Sequence, residues 1–265
     1  MKGISSFPRD AARSLLGVFF DIDDTFTTSG KIPLVSFSAL WELSLHNIHA
    51  VPITGRPAGW CDHIARMWPV TGIVGENGAF YFNYDVSWKK LNRRFFFSPD
   101  EAGRTRKKLL DIGEEILKAI PGTAFASDQA YRLFDIAIDF TEDVPSLSRD
   151  DVKKICDIFA SHGVHHKVSS IHVNGWFGDY DKLTMTKIFS REVLGLDLDA
   201  HKDRFVFLGD SPNDEPMFRF FPHAIGVANI KDFSDILAWL PNYITEKRSG
   251  EGFAEAITKI LALRT

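Results

Sequence analysis

Cysteine is scarce in this sequence, and long apolar runs are missing from it. Of 265 residues only Cys61 and Cys156 are cysteines, and they lie far apart and outside any C-x-x-C spacing. This scarcity argues against a disulfide scaffold and a thiolate metal site, and it suits the reducing cytoplasm. The apolar run before the first aspartates has six residues, too short for a signal peptide, and no stretch approaches the roughly 20 apolar residues of a membrane span. We therefore expect a cytoplasmic protein with no membrane partner.

Positive charge is not in excess either. The formal net charge is −4, which gives no reason to expect nucleic acid or an anionic membrane surface as a partner. A content of 45% hydrophobic and 25% charged residues is that of a globular protein, and the length suffices for one large domain or two modest ones. The sequence contains no internal repeat and leaves the oligomeric state open.

Short apolar segments alternate with amphipathic segments in the first and last thirds of the chain. Leu34, Phe37 and Trp41 recur at helical spacing between two apolar segments, and Pro57 opens a second helical pattern. Strands buried on both faces that alternate with helices indicate a parallel sheet. The predicted strands of this sheet are residues 15–20, 48–53, 72–74, 205–208, 224–228 and 243–245.

The middle third has a different pattern, typical of an antiparallel sheet with helices on one face. Residues 134–140 (FDIAIDF) alternate strictly between apolar and polar, as expected of a strand with one buried face. Residues 169–174 alternate in the same way, and two amphipathic helical patterns lie nearby. We therefore predict an α+β insert at residues 85–178 and a split α/β core domain at residues 1–84 and 179–265.

Carboxylates follow two of the core strands. The stretch GVFFDIDDTFT places Asp21, Asp23 and Asp24 directly after the first strand, and Asp210 and Asp214 follow the strand at residues 205–208. Because ligands bind beyond the carboxyl ends of parallel strands, we expect these side chains to converge there. Crowded carboxylates raise the cost of ionising one another. Oxygen ligands in this number suit a hard cation such as Mg²⁺ rather than zinc.

Four motifs stand in a fixed order along the chain. They are D-x-D-x-T at Asp21, Asp23 and Thr25, then Thr54 after the second strand, then Lys182, then G-D-S-x-N-D with Asp210, Asn213 and Asp214. The set resembles the signature of the haloacid dehalogenase superfamily of phosphatases. The segments TGR at 54–56 and GENGA at 75–79 look like the branch with a large α+β cap between the second and third motifs, which includes sucrose-, mannosylglycerate- and trehalose-phosphate phosphatases. The resemblance implies a Rossmann-like parallel sheet core with an inserted cap domain.

The resemblance assigns a catalytic role to Asp21, Asp23, Thr54 and Lys182. Asp21 would attack phosphorus and form an aspartyl-phosphate, while Asp23 would protonate the leaving oxygen and later take a proton from water. Thr54 would donate to a phosphoryl oxygen, and the Lys182 ammonium would offset the charge of the phosphate. Asp24 and Thr25 are interpreted as local structure. The predicted Mg²⁺ site consists of Asp21, Asp23 (through its backbone carbonyl), Asp210 and Asp214.

Two of these assignments have a competing interpretation. Thr54 could instead serve as the N-cap of the helix that Pro57 opens. A lone lysine on a helix is usually a solvated charge, and Lys187 lies five residues after Lys182. The preceding Asp181 and the position just after the insert favour Lys182.

A further set of residues is predicted to bind the phosphate or the rest of the substrate. From the motifs it includes Thr54, Gly55, Arg56, Asn77 and Asn213. In the insert, the polar face of the sheet nominates Asp135, Asp139, Ser170, His172 and Asn174, and the segment ASDQAYR adds Asp128, Gln129 and Arg132. Polar side chains facing a cleft would suit a hydroxyl-rich ligand such as a sugar; the alternative is a face that is merely exposed to solvent.

The motifs and their order predict a Mg²⁺-dependent phosphomonoester hydrolase. Its partner would be a small-molecule phosphate ester, most simply a sugar or glycosyl phosphate. Two alternatives stay open at this level. A phosphosugar mutase would carry the same four motifs, and a catalytically silent module would bind a phosphorylated ligand without turning it over.

Overall fold

The computed structural model describes residues 1–169 and 171–264; Ser170, predicted on the polar face of the insert, lies outside them. Within these ranges, no helix is long and apolar enough to cross a membrane. The strands are β1 (Lys2–Gly3), β2 (Gly17–Phe20), β3 (His49–Pro52), β4 (Ile73–Gly75), β5 (Phe80–Asp85), β6 (Lys90–Phe95), β7 (Ala124–Phe125), β8 (Ile136–Asp139), β9 (His165–Val168), β10 (His172–Trp176), β11 (Phe205–Gly209), β12 (Ala224–Gly226) and β13 (Tyr243–Ile244). The helices are α1 (Arg9–Ser14), α2 (Leu34–Leu45), α3 (Ala58–Met67), α4 (Pro99–Ala119), α5 (Arg149–Ser161), α6 (Lys182–Glu192), α7 (Leu198–His201), α8 (Glu215–Phe220) and α9 (Ser249–Arg264).

A six-stranded parallel sheet forms the centre of the molecule. Its strand order is β1-β13-β12-β11-β2-β3, with β11 paired to β2 on one side and to β12 on the other. All residues of β2 and β11 are buried. Such continuous apolar strands require cover on both faces of the sheet. The predicted fold class, α/β with a parallel sheet core, is confirmed.

Alternate side chains of β2 fill two separate cores. Val18 and Phe20 pack with α2 and α9, where Phe20 contacts the ring of Phe253 at a centroid distance of 5.0 Å. Phe19 points to the opposite face and packs with side chains of α6 and α8. Each fully buried aromatic ring of this kind contributes about 1.5–3 kcal/mol to folding. These two cores hold β2 rigidly, and the chain leaves the strand at Asp21.

Two antiparallel sheets complete the architecture. The first, β4-β5-β6, meets the parallel sheet through a single parallel bridge between Ile53 and Val74. The segment at 72–74 was predicted as a parallel core strand. On one edge β4 keeps the parallel bridge to the end of β3, and on the other edge it pairs antiparallel with β5 along its length, because GENGA turns the chain back on itself after Gly75. Glu76 and Asn77 have positive φ in that turn.

The second antiparallel sheet, β7-β8-β10-β9, lies within the predicted insert. Its apolar face packs on α4 and α5, with Ile136, Ile138 and Val173 in one buried cluster. A capping box between Ser98 and Glu101 starts α4. The β5–β6 hairpin crosses the predicted boundary at residue 85. The division into a core domain and a cap domain remains a proposal.

Candidate active site

Lys182 lies between two carboxylates at the carboxyl end of β2. Its ammonium nitrogen Nζ is 2.6 Å from Oδ1 of Asp21 and 2.7 Å from Oδ1 of Asp214. All three side chains are buried. Lys182 is the first residue of α6, which begins because Asp181 accepts a hydrogen bond from the backbone N–H of Thr184. Lys187, the alternative lysine, pairs instead with Asp199 at the surface.

Burial and the neighbouring charges together decide the ionisation of this cluster. Desolvation raises the pKa of Asp21 to about 8, against the opposing effect of Lys182. The pKa of Lys182 is raised as well, because Asp21 and Asp214 outweigh a desolvation effect that alone would lower it. The cluster therefore strongly favours a positive charge at its centre.

Asp210 adds a third carboxylate. It follows β11, and its oxygens accept hydrogen bonds from the Thr25 hydroxyl at 3.0 Å and from the Asn229 amide at 3.1 Å. Burial, together with the neighbouring Asp21 and Asp214, raises its pKa well above the ordinary value. Thr25, interpreted from the sequence as local structure, thus orients a carboxylate of the site that lies 185 positions away in the chain.

Three of the predicted metal ligands come together. One carboxylate oxygen from each of Asp21, Asp210 and Asp214 lies within 4.8 Å of the other two. Three buried carboxylates face a single lysine there, so a divalent cation would offset their mutual repulsion, and the all-oxygen donor set fits Mg²⁺. The Asp23 carboxylate is not part of this group.

Asp23 is instead held by Arg56. The guanidinium donates from Nε to both Asp23 oxygens at 3.0 Å and from Nη2 to Oδ1 at 2.8 Å. Arg56 also contacts Glu142 of the insert at 2.7 Å and Asp128 at 3.4 Å. Burial alone would lower the pKa of Arg56, but Asp23 and Glu142 outweigh it and raise the value. Arg56 was predicted to bind substrate, and here it ties the motif aspartate to the insert.

Glu142 is a residue that sequence reasoning missed. It accepts from Arg56 and lies 2.9 Å from Nε2 of His172. Its pKa falls to about 2, because these hydrogen bonds outweigh the opposing effect of burial. The turn that presents it is built by Asp139, whose carboxylate accepts from the backbone N–H groups of residues 141–143. A single glutamate three positions after a strand carries no recognisable sequence signal.

The loop after β3 is shaped by Thr54. Its hydroxyl accepts from the backbone N–H of Arg56 at 3.0 Å, and α3 begins at Ala58 without a side-chain cap from Thr54. The N-cap alternative is therefore wrong. A side chain at Gly55 would press on the amide of Asn77 at 3.2 Å. Within the described residues, the buried Asn77 amide nitrogen has no hydrogen-bond partner.

Arg132 organises the polar face of the insert. It donates to Asp128 and to Asp135 at 3.0 Å, and to the backbone carbonyl of Gly55 at 2.9 Å. Asn174 donates to Asp135 at 2.9 Å. These side chains are buried and paired with one another, so the alternative of a face merely exposed to solvent is wrong. The Gln129 amide donates to the backbone carbonyl of residue 135 and accepts from the backbone N–H of residue 137.

A small polar chamber lies between the sheet edge and the insert. Its volume is about 10 Å³, and Asp21, Asp23, Gly55, Arg56, Arg132, Ser169, Ile171, His172, Asn174, Ser211 and Asn213 line it. Eight of these are among the predicted site residues. Thr54, Asn77, Asp128 and Gln129 do not line it. Lys182, Asp210 and Asp214 do not line it either, but they lie around Asp21. Ser211, which donates to Asn213 at 2.8 Å, was missed although it belongs to the fourth motif.

Glu76 was also missed, although the sequence analysis quoted its motif. Its buried carboxylate accepts backbone N–H groups from Ala58, Leu133, Phe134 and Asp135. One side chain thus holds the start of α3 and the loop before β8 together. Its signal was available, because a glutamate directly after an apolar strand, at the start of a glycine-containing turn, is a candidate for a buried acceptor.

Known proteins share this architecture. No family model matches the chain. A curated relative, the phosphoglycolate phosphatase of Methanosarcina mazei, is 27% identical over 248 residues, which cover 89% of this chain and 92% of the relative. The haloacid dehalogenase-like hydrolase from Bacteroides thetaiotaomicron superposes with a TM-score of 0.62 at 14% identity, over 93% of this chain and 99% of the other. The sucrose-phosphatase from Synechocystis sp. PCC6803 gives 0.63 at 17% identity, over 94% and 98%.

The chain therefore has the fold of haloacid dehalogenase superfamily phosphatases, and this confirms the resemblance stated from its motifs. Its sequence relative and several structural neighbours are named as phosphatases.

Proposed function

We propose that this protein is a Mg²⁺-dependent phosphomonoester hydrolase that acts through Asp21. The observation that carries the proposal is the buried contact of Asp21 with Lys182, 2.6 Å long, beside Asp210 and Asp214 at the carboxyl end of the parallel sheet. A nucleophile for phosphoryl transfer needs positive charge around it, because it must approach a dianion. Phosphatases with the same fold support the reaction class.

The first half of the reaction uses Asp21 and Asp23. A carboxylate oxygen of Asp21 forms a bond to phosphorus as the bond between phosphorus and the ester oxygen breaks. Asp23 gives its proton to the departing alkoxide, which leaves as the alcohol. Lys182 keeps Asp21 oriented and offsets the charge that develops on the phosphoryl oxygens.

The second half regenerates the enzyme. Asp23, now ionised, takes a proton from a water molecule that attacks phosphorus, and the bond between phosphorus and Asp21 breaks to release phosphate. Both oxygens of Asp23 accept from Arg56 in the present arrangement. The Asp23–Arg56 pair therefore has to open before Asp23 can carry the proton of the first half.

The cation site of the proposal consists of Asp21, Asp210 and Asp214, with the Asp23 carbonyl as the fourth ligand expected from the motif. When bound there, Mg²⁺ would supply charge neutralisation for the phosphate and for the carboxylates. Thr25 and Asn229 hold Asp210 for that purpose through hydrogen bonds of 3.0 and 3.1 Å.

The substrate is proposed to be a small phosphorylated metabolite of the cytoplasm, with a sugar or glycosyl phosphate as the first class to test. Support comes from the sugar phosphatases among the structural neighbours and from the polar residues His172, Asn174 and Asn213 in the chamber. The scarcity of cysteine favours the cytoplasm.

A panel of phosphate esters with Mg²⁺ tests the proposal against the two alternatives. We expect Mg²⁺-dependent release of inorganic phosphate, reduced at least about 10³-fold in Asp21→Asn. The matched control is Asp24→Asn, since asparagine tolerates the positive φ that Asp24 adopts. Isomerised phosphosugar without free phosphate would indicate a mutase. No turnover on any ester, with Asp21→Asn unchanged, would indicate a silent binding module.

A further inference from the structure

A second, larger recess adjoins the polar chamber. Its volume is about 530 Å³, within the range of small-molecule pockets. Asp23 and Arg56 border both spaces, so this pair forms the partition between them. The apolar walls of the recess are supplied by Ile22, Ile32, Trp60, Ile64, Trp68 and Tyr131.

The chamber itself has no room for the organic part of a phosphate ester. Its 10 Å³ corresponds to about one water molecule. The phosphoryl group has to lie near Asp21, and the alcohol portion must therefore extend out of the chamber. Two larger spaces border the chamber, and the position of the acid that protonates the leaving oxygen decides between them.

Asp23 lies on the side of the tryptophan-walled recess. The other space, of about 720 Å³, meets the chamber at Ser169 and Asn213, and Asp23 does not line it. In the proposed reaction Asp23 protonates the ester oxygen, which carries the alcohol portion. That portion consequently leaves the chamber past Asp23 and Arg56, and so enters the recess with the tryptophans.

The walls indicate what the recess accepts. Trp60 is 43% exposed and Tyr131 is 59% exposed. The two rings therefore present a large apolar surface next to the polar chamber. The Arg56 guanidinium lies over the Trp60 ring at 4.5 Å, which fixes the orientation of that ring. Flat aromatic walls offer contact to a ring face and few hydrogen bonds to an open polyol chain.

We infer that the recess bordered by Asp23, Arg56 and Trp60 binds the alcohol portion of the substrate, and that this portion presents an apolar ring face. An aromatic ring and the C–H face of a pyranose share that chemistry. This inference rests on the proposed function for the direction of the leaving group. It predicts that ring-bearing esters are preferred over short acyclic ones such as phosphoglycolate.

A binding experiment separates this inference from the activity. Titration calorimetry with Mg²⁺ present compares benzylphosphonate with ethylphosphonate, which carry the same charge and are not hydrolysed. We expect benzylphosphonate to bind about tenfold more tightly to the wild type, and the Trp60→Ala substitution to remove that difference. Trp88→Ala is the matched control, because Trp88 is 82% exposed on the β5–β6 turn.

Rates of hydrolysis then distinguish a pyranose from an aromatic ring as the group that the recess binds. Glucose 6-phosphate is compared with its open-chain counterpart sorbitol 6-phosphate, and benzyl phosphate with ethyl phosphate, in the wild type and in Trp60→Ala. A Trp60-dependent preference within the first pair identifies a pyranose, and one within the second pair only identifies an aromatic ring. Both outcomes support the inference.

Two results would overturn it. Equal affinity of the wild type for the two phosphonates would show that the recess does not bind the ring selectively, even if phosphate esters are hydrolysed. A preference that survives in Trp60→Ala but not in a variant of the other space, such as Phe233→Ala, places the ring elsewhere. Ring-selective binding without any turnover would instead support the recess and contradict the proposed hydrolase.

Discussion

The ammonium group of Lys182 lies 2.6 Å from Asp21 and 2.7 Å from Asp214, with all three side chains buried. Within the described residues Lys182 is the only positive side chain that contacts this pair, and it is the first residue of α6. Removing it leaves two buried carboxylates facing each other. Its neighbour five positions along, Lys187, contacts Asp199 at the surface instead.

Lys182→Met should therefore lower kcat/KM for any hydrolysed ester by about 10²–10³-fold, since Lys182 both orients Asp21 and offsets phosphate charge. Steady-state kinetics on the best ester of the panel measures this. The control is Lys187→Met, which should stay within about twofold of the wild type because surface ion pairs contribute little. Comparable losses in the two variants would contradict the assignment of Lys182.

Mg²⁺ should stabilise the folded protein through the three-carboxylate group. A ligand that binds only the native state adds about 2.7 kcal/mol at a concentration 100-fold above its dissociation constant. Thermal unfolding with and without MgCl₂, at matched ionic strength, measures the shift. Asp210→Asn should abolish it, whereas Asp203→Asn, which alters an exposed carboxylate, should keep it. An unchanged shift in Asp210→Asn would place the cation elsewhere.

Glu76→Gln should destabilise the protein by about 3 kcal/mol or more. The two carboxylate oxygens accept backbone N–H groups from residues 58 and 133–135. Glutamine would set an NH₂ group against those donors and leave some of them buried without a partner. Urea unfolding measures the loss. Glu255→Gln is the control, since Glu255 also accepts backbone N–H groups but does so at the surface; a loss of equal size there would show that burial is not the cause.

Glu142 should make stability depend on pH in the acid range. Its folded-state pKa is about 2, below the ordinary value of 4.5. A depressed pKa stabilises the fold fully above pH 4.5, and this stabilisation is lost as pH falls from 4.5 through about 2. The unfolding free energy of Glu142→Gln should lie below that of the wild type, on the order of 2 kcal/mol at neutral pH, and the gap should narrow below pH 4.5.

The matched variant for that experiment is Glu115→Gln. Glu115 also pairs with a histidine, His162, at 2.8 Å, but its side chain is 53% exposed. Solvent screening should leave this variant within a few tenths of a kcal/mol of the wild type at every pH. A constant gap for Glu142→Gln across the acid range would show that its ionisation is not linked to folding.

Much of the core could be predicted from the sequence because its signals are local. The apolar segments that became β2, β3, β11, β12 and β13 are short and continuous, and each ends at a polar residue or a glycine. Because the strands are parallel, their carboxyl ends, and the polar residues that follow them, lie at the same edge of the sheet. The segment at 72–74 keeps one parallel bridge to β3 but belongs to an antiparallel sheet, because the turn at Glu76 and Asn77 pairs it with β5.

The site, too, has a part that could be predicted from the sequence and a part that could not. Asp21, Asp210, Asp214 and Lys182 follow from motif and strand order, and the structure places them around one another; their chemical roles stay proposals. The pairing of Arg56 with both Asp23 and Glu142 could not be read from the sequence, because Arg56 and Glu142 are 86 positions apart and follow strands of different sheets. The recess beside Trp60 is equally hidden, since an exposed tryptophan on α3 has the same sequence signal as a buried one.

The sequence by itself determined the alternation of apolar strands with amphipathic helices, the parallel core and the place where the carboxylates meet, because periodicity and strand ends are properties of neighbouring residues. The tertiary structure alone decided which charges pair, how small the chamber is and which aromatic walls adjoin it. Those properties depend on how the insert packs over the sheet edge, and packing joins side chains that are distant in the chain.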